Sequence, residues 1–365
     1  MRVAFLIPTL TAGGAERVVT KMANFWAERS HTVIIFSLDH PHSISFFPLH
    51  PAVQYYPLSL LKDQKSYVKK AIRSIWQVAT VRKQLQRHRP DVLIARLDIA
   101  IFLAILSALG LKTKSVVCEG TNPYLSQTNK YLKKLNNFLY RFADHIVLQT
   151  YQIAQTFPSH LQKKISVIYN PIAQVVSPLQ SEDYVRNLAR KEIVSVGRLA
   201  FPKAYEILIE AFYVFSQQRP GWSLLILGEG QERAKLTLLC EELNISDKVK
   251  LPGRVENPLK IIKTSSIFVL SSRYEGLPNA LCEAMSIGMP VIATRCKFGP
   301  EEIIDHRESG LLVPVEDAIA IASALNMLVD SPKLCEYLGT NAKKIGTTLD
   351  IHKIMRQWET LIRAL

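Results

Sequence analysis

The chain of 365 residues predicts an α/β fold, with two doubly wound parallel-sheet domains facing across a cleft. Three observations carry this. The length exceeds what one hydrophobic core normally holds. Short apolar runs alternate with helical spacing through most of the chain, as in parallel strands joined by covering helices. The alternation fails once, between residues 170 and 190, where Pro171 and Pro178 stand among polar residues, and then restarts. Residues 1–172 and 190–345 are therefore the expected domains, with 346–365 a closing helical segment expected to pack back on the first. Open α/β sheets bind ligands at the carboxyl ends of their strands.

In the first half, 2–8, 32–38, 92–95, 115–118, 144–149 and 165–169 read as strands, and 15–29, 66–88, 99–109 and 128–142 as helices. The opening run is apolar but short and enters a polar turn, so it reads as a first strand and not as a signal peptide. The longest apolar run, 99–111, falls short of the roughly 20 residues a bilayer crossing needs and reads as a buried helix. Thr9-Leu10-Thr11-Ala12-Gly13-Gly14-Ala15-Glu16-Arg17 joins the first strand to the first helix. Gly13 and Gly14 permit close backbone approach, and the helix offers its amino end to an anion. The motif is not G-x-G-x-x-G, which disfavours a nicotinamide or flavin dinucleotide.

In the second half, 192–196, 223–227, 249–251, 267–270, 291–294 and 311–313 read as strands, and 204–217, 232–243, 258–263, 279–287, 317–329, 333–344 and 351–363 as helices. Gly197-Arg198-Leu199-Ala200-Phe201-Pro202-Lys203 follows the first of these strands. The fork-shaped donor of Arg198 and the point charge of Lys203 together suit a diphosphate and the charge that grows on it as a leaving group. Gly228-Glu229-Gly230 lets a ligand pass close to the main chain, and the backbone around Arg254 and Val255 is placed to meet a base edge, with the Arg254 guanidinium stacking on its face.

The stretch Glu275-Gly276-Leu277-Pro278-Asn279-Ala280-Leu281-Cys282-Glu283 runs from a strand end into a helix. Its turn offers backbone N–H groups to an anion at the positive end of that helix. Glu275 and Glu283 are acceptors only and suit hydroxyl groups such as those of a ribose and a sugar. Donors for phosphate flanked by carboxylates for hydroxyls describe a nucleotide-sugar site. The plain alternative is that Glu275 caps a turn and Glu283 lies on a solvated helix face.

Five cysteines, odd in number and without any C-x-x-C, argue against a disulfide framework and a structural zinc site, and fit a reducing cytoplasm. There is no H-E-x-x-H and no D-x-D pair, and His40, His42 and His50 read as loop residues rather than as ligands. Charge is uneven. Residues 1–175 hold 22 Lys+Arg against 8 Asp+Glu, and the remainder hold 23 of each, so the whole excess of +14 lies in the first half. Such a field favours phospholipid, a pyrophosphate-bearing acceptor or nucleic acid.

Taken together, the E-x7-E stretch, G-R-L with its lysine, G-E-G, the G-x-V segment and G-G-A-E-R resemble the retaining GT-B glycosyltransferases of family four, closest to bacterial enzymes of lipid-linked glycan assembly. The resemblance covers nearly the whole chain and implies two Rossmann-like domains. It implies that Arg198 and Lys203 bind the donor diphosphate with help from the Gly276 and Leu277 amides, that Glu283 holds the ribose and Glu275 the donor sugar, and that Gly13 and Gly14 lie beneath the transferred group. It also implies no metal and no cofactor, the nucleotide sugar being substrate. Two positions depart from the pattern. Gly120 stands where many members carry a histidine, so that role is vacant or passes to Glu119 or Asn122 on the acceptor side. Ala204 replaces the glycine that usually follows the lysine, a change of one methyl group.

Val68, Ile72, Ile75, Ala79 and Leu85 are spaced to form one stripe among Lys69, Lys70, Arg73, Arg82, Lys83 and Arg87, and 130–141 interleaves Tyr131, Phe138 and Tyr140 with Lys133 and Lys134. These helices are either packed on the sheet with solvated basic faces or form a peripheral surface for an anionic membrane. No nucleic-acid motif accompanies the charge. The reading is a retaining, metal-independent glycosyltransferase moving a hexose or N-acetylhexosamine from a nucleotide sugar, with UDP the expected carrier, to a polyprenyl-pyrophosphate-linked glycan at the inner face of the cytoplasmic membrane. A GT-B epimerase or phosphorylase, or a non-catalytic nucleotide-sugar-binding protein, is the alternative.

Overall fold

The computed structural model describes residues 1–365 apart from 12, 61–66, 121–129 and 173–177, and at 67–72 and 130–133 it describes the backbone alone. It divides into two units, Met1–Pro171 with Ile354–Leu365, and Ile172–Lys353. Unit 1 holds strands β1 (Arg2–Ile7), β2 (Thr32–Ser37), β3 (Val53–Pro57), β4 (Val92–Arg96), β5 (Lys114–Glu119), β6 (His145–Leu148) and β7 (Ile165–Val167). Its helices are α1 (Gly14–Ala27), α2 (Tyr67–His88), α3 (Asp98–Ala108), α4 (Lys130–Leu139) and α5 (Tyr151–Ala154), with 3-10 turns at Tyr140–Phe142 and Ser159–Lys164. The sheet order is β3-β2-β1-β4-β5-β6-β7, parallel throughout.

Unit 2 begins with α6 (Ser181–Leu188) and carries β8 (Glu192–Val196), β9 (Ser223–Leu227), β10 (Val249–Gly253), β11 (Ile267–Leu270), β12 (Val291–Thr294) and β13 (Leu311–Val313) in the parallel order β10-β9-β8-β11-β12-β13. Its further helices are α7 (Tyr205–Gln218), α8 (Arg233–Glu242), α9 (Pro258–Ile262), α10 (Asn279–Ser286), α11 (Pro300–Ile303), α12 (Ala318–Asp330), α13 (Pro332–Ala342) and α14 (Lys344–Thr348). The chain closes with α15 (Ile351–Ala364), which from Ile354 onward belongs to unit 1 and buries Ile354, Met355 and Trp358 there. Two parallel α/β sheets are thus the observed architecture. The central strands are apolar on both faces, as sheets covered by helices on each side require; Val3 to Ile7 and Ile267 to Val269 are wholly inaccessible.

The boundary between the expected domains differs from the observed one. The stretch read as a linker contains α6, and unit 2 starts at Ile172 rather than at residue 190. Gln180 N–H donates to Asp183 Oδ2 at 2.8 Å, which fixes the first turn of α6. Tyr184 is buried and its hydroxyl donates to the Gly288 carbonyl at 3.0 Å, while Asn187 Nδ2 donates to the Lys263 carbonyl at 3.0 Å. An eight-residue helix anchored by side-chain hydrogen bonds leaves little apolar periodicity to read.

The stripe expected on α2 is split. Gln77, Val81 and Leu85, four apart, face inward, whereas Ile75, Trp76 and Ala79 are exposed. The side chains of Val68 and Ile72 lie outside the described residues. The run read as a buried helix is α3, which buries Ala100 to Ile105. Among the described residues no single helix is long and apolar enough to cross a membrane.

Candidate functional site

In unit 2 the chain enters the sheet at β8 and places β9 on one side of it and β11 on the other, so the strand order reverses between β8 and β11, the switch point beside which open parallel sheets form their ligand crevice. The loops leaving β8 and β11 are tied together. Arg273 N–H donates to the Pro202 carbonyl at 2.8 Å, and Ser271 Oγ donates to the Lys203 carbonyl at 2.8 Å. Lys203 Nζ reaches Glu275 Oε1 at 2.5 Å, and Ser272 Oγ donates to the same oxygen at 2.6 Å. Thr294 Oγ1, at the end of β12, donates to the Ser272 carbonyl at 2.5 Å, so three adjacent strand ends share one polar network. Lys203 and Glu275 are mostly buried, with side chains 23% and 11% accessible, and their attraction is screened less than that of a surface pair.

Arg198 stands on the same loop, exposed, and makes no hydrogen bond or ion pair with any described residue. Its field reaches the Tyr274 hydroxyl, whose pKa is raised by burial against the opposing pull of Arg273 and Arg198. Arg273 itself is a brace. It binds Glu316 and Glu206 at 2.7 and 2.8 Å, donates to the Phe201 carbonyl and stacks on the Phe201 ring. Glu275 Oε1 accepts twice, and no described donor reaches its Oε2. The buried Cys296 thiol is pushed up to about 12 by desolvation, with the carboxylate of Glu275 adding to it and Lys203 opposing.

The turn before α10 is shaped from behind. Gly299 adopts φ +82°, and a Cβ there would stand 2.0 Å from the Gly276 carbonyl oxygen, so only glycine lets the two loops meet. The N–H groups of Gly276 and Leu277 donate to no described residue. They precede the positive end of α10 and form a ready anion cradle. Glu283, one helix turn and more into α10, is only 2% accessible, so it does not lie on a solvated face. The carboxylates of both Glu283 and Glu275 contribute to raising the Cys282 thiol, after burial.

The β9 and β10 ends lie on the other side of β8. Leu199 N–H donates to the Glu229 carbonyl at 2.9 Å, and a Cβ on Gly228 would stand 1.9 Å from the Gly197 carbonyl oxygen. Glu229 is held by Arg233, which keeps its carboxyl below the usual range, with Arg254 adding to the effect. Arg254 is exposed and Val255 half-buried. Arg198, Lys203, Arg254, Val255, Glu275, Gly276, Leu277 and Glu283 therefore all belong to unit 2, at or just beyond the carboxyl ends of β8, β10 and β11. Sequence reading missed Ser272, Thr294 and Gly299. A serine doublet ending an otherwise apolar strand was the available signal for the first.

In unit 1, Gly13 and Gly14 sit at the carboxyl end of β1. The space over Gly13 is taken by the carboxylate of Glu16, since a Cβ on Gly13 would stand 2.2 Å from Glu16 Oε2. Thr9 Oγ1 donates to Glu16 Oε1 at 3.3 Å. An acceptor of hydrogen bonds lines this position, which favours hydroxyls over phosphate. Glu119 is 4% accessible and accepts from the buried Tyr140 hydroxyl at 2.9 Å, so its carboxylate is turned inward. Gly120 faces the Gln149 amide, and Asn122 lies outside the described residues.

Residues 177–345 match the family model of group 1 glycosyl transferases, and residues 12–173 that of Glycosyltransferase Family 4. An uncharacterized glycosyltransferase of Methanocaldococcus jannaschii is 32% identical over 77% of this chain and 81% of its own. A Campylobacter jejuni protein named as a diNAcBac-PP-undecaprenol-linked α-1,4-N-acetyl-D-galactosaminyltransferase is 28% identical over 99% of this chain and 98% of its own. Among solved structures, Anabaena HepE in complex with UDP and glucose superposes with a TM-score of 0.80 over the whole of both chains at 18% identity, which speaks to the fold.

Proposed function

The chain belongs to the glycosyltransferases, a group 1 region following a family 4 region in the GT-B architecture, and on that premise we propose that it moves a hexose or N-acetylhexosamine from UDP to a polyprenyl-diphosphate-linked glycan with retention of configuration. One observation carries the reading. Lys203, Glu275 and Ser272 lock together the two loops at the switch point of unit 2, beside unpaired N–H groups and an unpaired guanidinium. A diphosphate seated against the Gly276 and Leu277 amides brings its charge to Arg198 and Lys203. Both cations then oppose the charge that grows as the sugar–oxygen bond breaks. They serve the purpose a divalent metal serves elsewhere.

Retention by double displacement needs a carboxylate nucleophile at the anomeric carbon. Glu275 is bound to Lys203 and Ser272, and Glu119 to Tyr140, which supports front-face attack assisted by the leaving diphosphate over a glutamyl intermediate. The free Oε2 of Glu275 is left for a donor-sugar hydroxyl, and Glu283 is the acceptor proposed for the ribose hydroxyls. The lipid-linked acceptor rests on the Campylobacter relative.

The test is product analysis with a panel of UDP-sugars and a polyprenyl-diphosphate disaccharide, with and without EDTA. An α-linked product from an α-linked donor, formed equally in EDTA, is the expected result. Inversion, loss of transfer in EDTA, or rearrangement of the donor without acceptor would each sink part of the reading.

A further inference from the structure

Helix α4 and the 3-10 turn that extends it carry two apolar faces, and only one is used. Leu139, Tyr140 and Ala143 point into unit 1, where the Tyr140 ring meets Phe157 at 5.6 Å and its hydroxyl binds Glu119. Tyr140 therefore cannot belong to an outward aromatic set. On the other face Leu135, Phe138 and Phe142, at helical spacing, are 42%, 49% and 46% accessible. Phe138 and Phe142 stand 5.8 Å apart, and the Arg141 guanidinium lies over the Phe138 ring at 4.1 Å.

Cations surround this stripe. Lys134, Arg141 and Lys163 are exposed, and Lys164 Nζ donates to the carbonyls of Arg141 and Ala143, which pins the basic turn Ser159–Lys164 beside the aromatic pair. The nearby Asp144 is already engaged by Lys114 at 3.4 Å. Lys130 and Lys133 add further charge on the same helix by sequence. Leucine and phenylalanine side chains ringed by cations match an anionic lipid interface, where the rings enter the acyl boundary and the cations meet headgroups.

We propose that the Leu135, Phe138 and Phe142 face of α4 is the element by which this chain inserts into anionic membrane, presenting unit 1 to a lipid-borne acceptor; the proposal rests on the reading of the acceptor as lipid-linked. The basic face of α2, where Ile75 and Trp76 are also exposed, adds to the attraction. A protein partner is the competing occupant.

The full chain is tested by co-sedimentation with vesicles of phosphatidylcholine, with and without 30 mol% phosphatidylglycerol. Binding to the anionic vesicles that weakens with salt is expected, and F138A/F142A should lose about tenfold or more in partition coefficient. Phe138→Trp should be quenched by lipids brominated along their acyl chains. A double variant that binds like wild type, a Phe138→Trp untouched by the bromolipid, or no vesicle binding at all would overturn the proposal. So would a change of oligomeric state in F138A/F142A, which assigns the face to a protein contact. Transfer to a water-soluble acceptor carrying a short isoprenyl diphosphate separates the two readings. It should be unchanged in F138A/F142A, and its absence in wild type would instead count against the proposed reaction.

Discussion

At the scale of single residues, the departure at Ala204 is larger than one methyl group makes it look. Ala204 adopts φ 48° and ψ 45° and is fully buried at the start of α7. The left-handed conformation costs a side-chain-bearing residue about 1–2 kcal/mol, and the extra freedom of an unfolded glycine returns only part of that. Ala204→Gly should therefore raise stability by roughly 0.5–1 kcal/mol, read as a higher urea midpoint at unchanged slope. A lower midpoint would mean that the methyl group packs better than the backbone is strained. The second residue-scale consequence concerns Glu275. Its bond to Lys203 competes with any phosphate for the same ammonium group, and its negative charge opposes a diphosphate nearby. Glu275→Gln should thus bind UDP at least as tightly as wild type by calorimetry, while kcat falls about tenfold or more because Lys203 is no longer aimed. Loss of UDP affinity together with kcat would show the pair to be structural. That these residues would fall at the strand ends was legible, because the apolar runs mark where each strand stops and glycine, proline and charge follow them. Their mutual contacts were not, since Lys203 and Glu275 are remote in sequence and nothing local specifies their pairing.

At the scale of elements, legibility followed burial. β8, β9, β11, β12 and β13 run over the residues that their apolar runs mark, because a parallel strand covered on both faces has no reason to alternate. The half-buried edge strand β3 and the short helices α5, α6, α11 and α14 went unread, since an edge strand with no fully buried residue and helices of four to eight residues carry too little apolar periodicity to mark them. The closing helix α15 was legible as a helical segment, and the residues it buries name its anchor. Trp358 is fully buried, and no described acceptor reaches its Nε1. Trp358→Ala should cost unit 1 about 3–5 kcal/mol, while Trp358→Phe, which keeps a ring and removes an unsatisfied donor, should cost far less. Denaturation followed by near-UV circular dichroism distinguishes the two variants. Equal losses would mean that the indole N–H holds a water or that the ring's full width is needed.

At the scale of the whole molecule, two units each built on its own sheet should unfold as two transitions on one chain. Every predicted donor contact except Gly13 and Gly14 lies in unit 2, which fixes how a nucleotide should act on stability. A ligand that binds only the folded form stabilises what it binds, by about 2.7 kcal/mol at a hundredfold excess over Kd. Scanning calorimetry with UDP should therefore raise the transition that belongs to unit 2 and leave that of unit 1 in place. Trp358→Ala identifies the unit 1 transition independently, since α15 is part of that core from Ile354 onward. Arg198→Ala should abolish most of the UDP shift without moving either transition in its absence, because the guanidinium is exposed and unpaired. If UDP moved only the unit 1 transition, or both equally in the Arg198→Ala variant, the nucleotide would not sit on the crevice between the β8 and β11 loops. The network of Lys203, Glu275 and Ser272 would then have to be explained as a brace for the sheet.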